Sequence, residues 1–401
     1  MNKKRILGTM ILSFGVMLLG IASPANNAYE AYYLYLGDYP GNANPGWHDN
    51  AQGIAHDQNN WFITQEKDLW KIPVTYDLNS VSASDSGVKQ IRLRDIPELV
   101  KAGYNHFGDL EYYESQGYLI IPIEDSVNHF PCSAVAAFKV DNKADNLEYI
   151  ARGCLGGQTA APWVAVDPDG NLYSSNSNYD PGSNYTKVRK YFVDWSALKY
   201  RRELILTYVD PVTLRDEKGG DIKLKSLQGG VISPSGQLLY LVAGYFGELD
   251  PSYGIHVFDL FTGKRVQRST RGAGHFNYEF EPSFPTHQEP EGLTIWDLDD
   301  GRAPNIRGQL HVLLLDNDVS ADEVYLKHYT GTIYVNHNHS GEEQGTPTKP
   351  FKTVGKANKL VEDAAWDGAQ ISIRAGSYLE TLTFSRRIRV FAEGGPAIVG
   401  R

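Results

Sequence analysis

The chain has 401 residues and a formal net charge of −10 at pH 7. This acidic balance argues against nucleic acid or anionic lipid as the main partner, because both are bound through basic surfaces. The length exceeds what one hydrophobic core usually serves, so we expect two domains.

Residues 1–25 have the organisation of a secretory signal peptide. Residues 3–5 are basic, residues 6–22 are uncharged and mostly apolar, and residues 23–25 offer small side chains to a signal peptidase. We expect cleavage after Ala25 and a secreted, periplasmic or cell-surface protein; an uncleaved N-terminal anchor is the alternative. No later segment is apolar enough to span a membrane, so we expect no membrane span after cleavage.

A pattern of two apolar strands joined by a polar turn recurs along the next 300 or so residues. Copies begin near residues 53, 108, 163, 230 and 291, roughly 55 to 67 residues apart, which is about the length of a four-stranded propeller blade. We therefore predict an all-β protein in which residues 28–328 form a β-propeller of five or six blades. A β-sandwich is the alternative, and this repeat length fits it less well.

The two cysteines of the chain are Cys132 and Cys154. In an oxidising compartment a disulfide between them is expected. Two free buried thiols are the alternative, because the sequence does not show whether the Cα atoms come within bonding distance.

The character of the sequence changes near Thr332. A short strand and a polar loop precede residues 354–365, in which apolar side chains recur at helical spacing. Short alternating strands follow at residues 371–378, 379–384 and 388–391. This order predicts that residues 332–401 are the start of a right-handed parallel β-helix with an N-terminal capping helix.

This C-terminal part resembles the N-terminal region of pectin-lyase-like right-handed β-helix proteins of the DUF1565 type. The residues that carry the resemblance are Tyr334-Val335, Gly345-Thr346, Lys349–Thr353, Ala357, Ile371, Ile373–Tyr378 and Glu380-Thr381. Family members that process sugars place their chemistry on later coils, so the resemblance implies no catalytic residue here. One or two coils leave an open sheet edge, and we expect more chain, a partner or self-association to cover it.

Residues 28–328 are similar to secreted propellers of the strictosidine-synthase, gluconolactonase and phytase-like group. The similarity rests on Gln52–Ala55, Gly108–Glu111 and Glu289–Leu293. It implies a metal in the central channel, with ligands at the starts of the inner strands.

The innermost strand of each blade begins near the propeller axis, so its first residues should converge on one mouth of the channel. The repeat places Gln52, Asp109, Glu111, Gln228, Glu289 and Glu291 there, and His106 shortly before Asp109. Converging carboxylates need a cation or protons to offset their repulsion, and oxygen ligands suit Ca²⁺. We predict Asp109, Glu111 and Glu291 as Ca²⁺ ligands; acids that cap turns or pair with basic residues are the alternative.

Other polar groups have weaker patterns. His48-Asp49 and His56-Asp57 flank the first inner strand as ligands or general bases, or simply as turn formers. Residues 337–339 and 316–323 contain His and acidic groups that we assign to a loop and a hairpin turn. Aromatic rings near strand ends stack on sugars if they are exposed and fill gaps between blades if they are buried.

These features favour an exported protein that binds extracellular or cell-envelope polysaccharide through a propeller and β-helix scaffold. The alternative is a metal-assisted (Ca²⁺) hydrolase or lyase acting on carbohydrate at the channel. Hydrolysis by a pair of carboxylates at the same mouth is a separate possibility. A structural or adhesive module is a third hypothesis. The sequence has no signature of serine hydrolases, zinc proteases, or phosphate or dinucleotide binding.

Overall fold

The computed structural model describes residues 32–125, 132–178, 186–244, 253–271, 275–278, 280, 288–317, 322–366 and 368–400. The predicted signal peptide and Asp318 lie outside these residues. Within the described ranges, no helix is both long enough and apolar enough to cross a membrane.

Five antiparallel sheets follow one another along the chain as the blades of a propeller. The first strand, β1 (Leu34–Asp38), belongs to the last blade. The first blade contains β2 (Ala51–His56), β3 (Asn60–Gln65), β4 (Asp68–Pro73) and β5 (Lys89–Arg92). A short helix, α1 (Pro97–Lys101), leads to the second blade, which contains β6 (His106–Phe107), β7 (Glu111–Tyr113), β8 (Tyr118–Glu124), β9 (Ala134–Asp141) and β10 (Asn146–Cys154).

The remaining blades have the same order, with the innermost strand first. The third contains β11 (Ala165–Val166), β12 (Leu172–Ser174), β13 (Lys187–Val193), helix α2 (Trp195–Arg201), β14 (Leu206–Tyr208) and β15 (Val212–Thr213). The fourth contains β16 (Leu227–Ile232), β17 (Leu238–Ala243), β18 (Gly254–Asp259) and β19 (Arg265–Arg268). The fifth contains β20 (Gln288–Ile295), β21 (Leu310–Asp316) and β22 (Glu323–Thr330), with β1 paired outside β22. The propeller therefore has five blades, and the N-terminal strand completes the last one.

Each central strand buries side chains against both neighbouring blades, because successive residues of a strand point to opposite faces. Trp61 packs with Leu313 of the fifth blade, whereas Phe62 packs with Leu119 of the second. The buried tryptophans occupy such clusters: Trp47, Trp61, Trp70, Trp163 and Trp296. These rings therefore belong to the core and are not displayed to a ligand.

A disulfide joins Cys132 to Cys154, whose Cα atoms are 5.9 Å apart. It links the residues next to the start of β9 and at the end of β10, so it closes one end of this hairpin. The predicted pairing is confirmed.

The chain beyond the propeller forms a three-stranded parallel sheet and one helix. Its elements are β23 (Thr332–Val335), α3 (Val354–Asp363), β24 (Ala369–Tyr378) and β25 (Ile388–Val399), with β24 in the middle of the sheet. The hydroxyl of Thr353 accepts a hydrogen bond from the N–H of Lys356 and caps the start of α3. Val354, Ala357, Leu360 and Val361 are buried in the cluster beneath the sheet, which confirms the predicted amphipathic helix.

The predicted strand at residues 379–384 is wrong, since this described segment has no strand pairing. The carboxylate of Glu380 instead accepts hydrogen bonds from the N–H groups of Val354 and Gly355, at 2.9 and 2.8 Å. The segment is used to cap the helix, and this requires it to leave the sheet.

Candidate functional site

The innermost strands form a closed ring around the propeller axis. β2 contacts β7, β7 contacts β11, β11 contacts β16, β16 contacts β20, and β20 returns to β2. Residues at or near the starts of several of these strands, such as Gln52, Gln228 and Glu289, line one mouth of the channel.

Asp109 lies at the centre of this ring and is fully buried. Its Oδ1 accepts a hydrogen bond from the N–H of Ile54 at 3.1 Å, and its Oδ2 accepts one from Gly230 at 3.0 Å. Its own backbone N–H donates to the carbonyl of Pro162 in the third blade, at 2.8 Å. Asp109 thus ties its own blade to the first, third and fourth.

Glycine makes this close approach feasible. A Cβ added to Gly53 would lie 2.4 Å from the Cα of Asp109, and one added to Gly292 would lie 2.5 Å from its Oδ1. Burial raises the pKa of Asp109 well above its usual range, although N–H donors, including that of Leu293, act to lower it. The carboxyl group therefore fills the space beside Gly53 and Gly292 and contacts the inner strands of three other blades.

The mouth cavity has a volume of about 280 Å³. Five of the seven residues predicted for the channel line it: Gln52, His106, Gln228, Glu289 and Glu291. The rest of its lining comprises Asn50, Glu66, Gly108, Glu124, Ala160, Pro162, Ser177 and Asn317. The repeat therefore brings together most of the residues that it singled out.

His106 is oriented by a neighbour from the first blade. Its Nε2–H donates to the Oε1 of Gln52 at 2.9 Å. Burial lowers the pKa of His106, although the nearby carboxylate of Glu124 raises it. The ring is therefore held neutral in this tautomer and provides a polar but uncharged part of the cavity wall.

Glu291 is the most unusual group in the mouth cavity. It is 2% exposed, and its Oε1 has no hydrogen-bond partner. Burial raises its pKa well above the usual range, and both the charge of Glu289 and a hydrogen bond with that residue raise it further. The raised pKa favours the protonated form of Glu291, next to the carboxyl group of Glu289.

Glu111 does not line the mouth cavity. The innermost strand of the second blade begins earlier than the repeat indicated, at His106, so Glu111 lies beyond Asp109 toward the opposite end of the channel. Its Oε1 accepts the N–H of Tyr112 at 3.0 Å, and burial raises its pKa to about 8. Glu111 and Glu291 therefore do not line the same cavity.

Of the three predicted Ca²⁺ ligands, Glu291 lines the mouth cavity, whereas Asp109 and Glu111 do not. Both carboxyl oxygens of Asp109 accept backbone hydrogen bonds, and Glu291 is hydrogen-bonded to Glu289. Within the part of the chain that the structure describes, no group of three or more His, Cys, Asp or Glu side chains could hold a metal ion.

The other polar candidates make local contacts. The Nε2–H of His56 donates to the carbonyl of Ile295 at 2.9 Å, and its ring stacks on Trp296. Asp57 accepts the N–H of Asn60 at 2.7 Å in the turn that follows β2. His48 bonds to the carbonyl of Pro45, and His339 to that of Glu342, whereas the ring of His337 packs against Tyr378. The contacts of His48, Asp57 and His339 are local, whereas His56 connects the first blade to the fifth.

A second cavity, of about 490 Å³, lies between the propeller and the C-terminal sheet. We call it the cleft. It is lined by aromatic rings (Tyr33, Tyr240, Tyr334, Phe391), carboxyl groups (Asp297, Asp299, Glu393), other polar groups (Ser233, Gln309, Thr332, Gln370, Ser372) and Pro234, Ile295 and Gly331. The sequence analysis did not identify it; the one signal was the acidic run Asp297–Asp300 in the long loop between β20 and β21.

Asp299 lies at the base of the cleft and links its two sides through hydrogen bonds. Its Oδ1 accepts the N–H of Gly308 at 2.8 Å, and its Oδ2 accepts the hydroxyl of Tyr334 at 2.9 Å and the amide of Gln309. Burial raises the pKa of Asp299, while the Gly308 and Tyr334 donors lower it. Since Tyr334 belongs to β23, this carboxyl group joins the two parts of the chain.

Comparisons with known proteins return no family. No protein-family model matches the chain, and no curated protein matches it. The hydrazine synthase of Kuenenia stuttgartiensis is a similar solved structure, with 13% identity, coverage of 69% of this chain and 66% of that one, and a TM-score of 0.32. A putative 6-phosphogluconolactonase from Bacteroides fragilis has 14% sequence identity over 54% of this chain and 52% of its own, with a TM-score of 0.32. Kluyveromyces lactis Hsv2 has 11% sequence identity over 70% of this chain and 73% of its own, with a TM-score of 0.31. These similarities are too low to indicate a function, and the chain spans less than two thirds of the first two proteins.

Proposed function

We propose that the protein is exported and binds an extracellular or cell-envelope polysaccharide in the cleft between its propeller and its C-terminal sheet. The lining of the cleft supports this proposal most directly. Aromatic rings, carboxylates and neutral polar groups stand together there, and none of the described lining residues is Lys or Arg. The volume of about 490 Å³ lies within the range of small-ligand sites.

Saccharides need two kinds of contact, and the cleft offers both. Carboxylate and amide oxygens accept hydrogen bonds from sugar hydroxyls. An aromatic ring covers the apolar face of a sugar, and Phe391 is 39% exposed at the edge of the cleft.

The carboxyl groups of the cleft have different roles. The oxygens of Asp299 are already engaged, so this residue positions the base of the cleft. Asp297 and Glu393 are exposed, and the hydroxyl of Ser372 donates to Glu393 at 3.1 Å. We assign the sugar contacts to Asp297, Glu393 and Phe391.

The test is a panel of polysaccharides presented to the purified protein, with Ca²⁺ and with EDTA. Retention and newly released reducing ends are scored in parallel. We expect retention of at least one glycan, no released ends, and no effect of EDTA. Release of reducing ends would indicate that the cleft acids hydrolyse the glycan. Retention of no polysaccharide in the panel would contradict the proposal.

A variant locates the binding site. Glu393→Gln removes a charged acceptor from the cleft, and a hydrogen bond to a charged group contributes about 1.5–3 kcal/mol. We expect affinity for the retained glycan to fall about tenfold. Glu98→Gln, at an exposed position on α1, is the matched control and should leave affinity unchanged.

A structural or self-associating module is a second candidate. We propose that the parallel sheet and α3 are the first part of a right-handed β-helix. β25 is a free edge strand, and Val390, Phe391, Ile398 and Val399 are exposed on it; a further coil or a second chain would cover such an edge. Sedimentation tests this candidate: monomers at all concentrations would contradict self-association.

Export has independent support. The signal-like residues 1–25 and the Cys132–Cys154 disulfide are both expected of a protein that matures in an oxidising compartment. Fractionation of cells that express the chain should recover it outside the cytoplasm, and recovery of reduced protein in the cytoplasm would contradict export.

A further inference from the structure

The mouth cavity is strongly acidic. Four glutamates line it, namely Glu66, Glu124, Glu289 and Glu291, and none of its described lining residues is Lys or Arg. Lys67 pairs with Glu66 at 3.0 Å, but its side chain is largely exposed and lies outside the lining. No described lysine or arginine in the wall offsets these acids, and the raised pKa of Glu291 favours its protonated form while no cation is bound.

Glu291 lines this cavity and is the buried member of the four glutamates. Its Oε1 has no hydrogen-bond partner although the residue is 2% exposed, and a buried acceptor without a partner costs free energy. The raised pKa of Glu291 favours a proton on this side chain. A donor that carries positive charge would replace that proton and supply the missing hydrogen bond.

The shape and the donor set favour an organic cation over a metal ion. Asp109 offers no free oxygen, since both of its carboxyl oxygens accept backbone hydrogen bonds. No group of three or more His, Cys, Asp or Glu side chains within the described ranges could hold a metal. Neutral side chains from Asn50, Gln228 and Asn317 surround the acids instead, and such groups suit a ligand that brings its own N–H donors.

We propose that the mouth cavity binds a small organic cation with a primary ammonium group, and that Glu291 is its principal partner. An ammonium group has three donors: one reaches Oε1 of Glu291, and the others reach Glu289 and the amide side chains. The volume of about 280 Å³ lies just below the range of sites for drug-sized molecules, so we expect a small ligand. This site is separate from the cleft, so it does not depend on the saccharide proposal.

Calorimetry with 1,4-diaminobutane tests the inference, and 1,4-butanediol is the uncharged control of the same length. We expect the diamine to bind and the diol not to bind. Glu291→Gln should weaken the diamine at least tenfold, since it removes a charge-assisted hydrogen bond. Glu114→Gln, an exposed acid that bonds to Gln58 outside the cavity, should leave binding unchanged.

A second variant keeps the inference testable if Glu291→Gln does not fold. Glu289 is only partly buried, so Glu289→Gln should fold and also weaken the diamine severalfold. Absence of diamine binding to the wild-type protein would overturn the inference, as would equal binding of the diol. Ca²⁺ binding that excludes the diamine and is lost in Glu291→Gln would overturn it in favour of a metal.

Discussion

The mouth cavity and the cleft are formed by different kinds of neighbours. The mouth cavity is enclosed by equivalent positions of successive blades, and a single buried carboxyl group, Asp109, ties these blades at the axis. The cleft lies where the fifth blade meets a sheet of another kind, across the short connection around Gly331. One cavity therefore belongs to the core of the propeller, and the other to a junction between two units.

This difference has a consequence for mutations. Residues at the axis contact several blades, so changes there should alter the stability of the whole propeller. The cleft residues Asp297, Phe391 and Glu393 are exposed, so changes at these three positions should alter ligand binding with little effect on stability. Variants at the axis and in the cleft should therefore differ in whether they change stability or ligand binding.

Asp109→Ala should destabilise the protein by about 4 kcal/mol. It leaves the buried N–H groups of Ile54 and Gly230 without an acceptor, at about 1–3 kcal/mol each, and it opens a void at the axis. Urea denaturation measures the loss. Asp169→Ala, at an exposed turn position, is the control; equal stability of the two variants would contradict the role of Asp109.

Glu111→Gln should change how stability depends on pH. The pKa of Glu111 is about 8 in the folded protein and about 4.3 in an unfolded chain. The proton is bound more tightly in the folded state, so this stabilisation is fully present below about pH 4 and is lost as the pH rises through about 8. The wild-type unfolding free energy minus that of the variant should therefore decrease between pH 5 and pH 9. A constant difference would contradict burial of this acid.

Tyr334→Phe should have a small effect. It removes the hydroxyl that donates to Asp299 across the junction, but Asp299 keeps the N–H of Gly308. We expect a loss of about 1 kcal/mol in urea denaturation. Tyr200→Phe removes an exposed hydroxyl and should cost nothing measurable; a Tyr334→Phe loss as large as that of Asp109→Ala would contradict the separation.

The repeat could predict the mouth cavity because equivalent strands start at equivalent places. The repeat length alone was enough to predict that Gln52, Gln228 and Glu291 lie in the same cavity. Glu111 was misplaced because β6 begins before the repeated segment, and a shift of a few residues along an inner strand moves a side chain to the other end of the channel. The repeat therefore predicts which strands come together but not the exact register of each inner strand.

Two other features depend on contacts that no local pattern contains. β1 pairs with β22, whose register joins Leu34 to Thr330, and a lone strand gives no sign of such a distant partner. The cleft combines residues from the two ends of the chain, such as Tyr33 and Phe391. Its existence depends on how the parallel sheet sits against the propeller, which the periodicity of neither part determines.

The most direct test of the separation between the two cavities is the affinity of one retained glycan for three variants. Phe391→Ala removes an exposed ring from the cleft, Phe261→Ala removes a 95% exposed ring elsewhere, and Glu291→Gln alters the mouth cavity. We predict that Phe391→Ala alone weakens the glycan, about three- to tenfold for a ring contact. Loss of glycan binding in Glu291→Gln with Phe391→Ala unaffected would place the saccharide in the channel mouth and contradict the account.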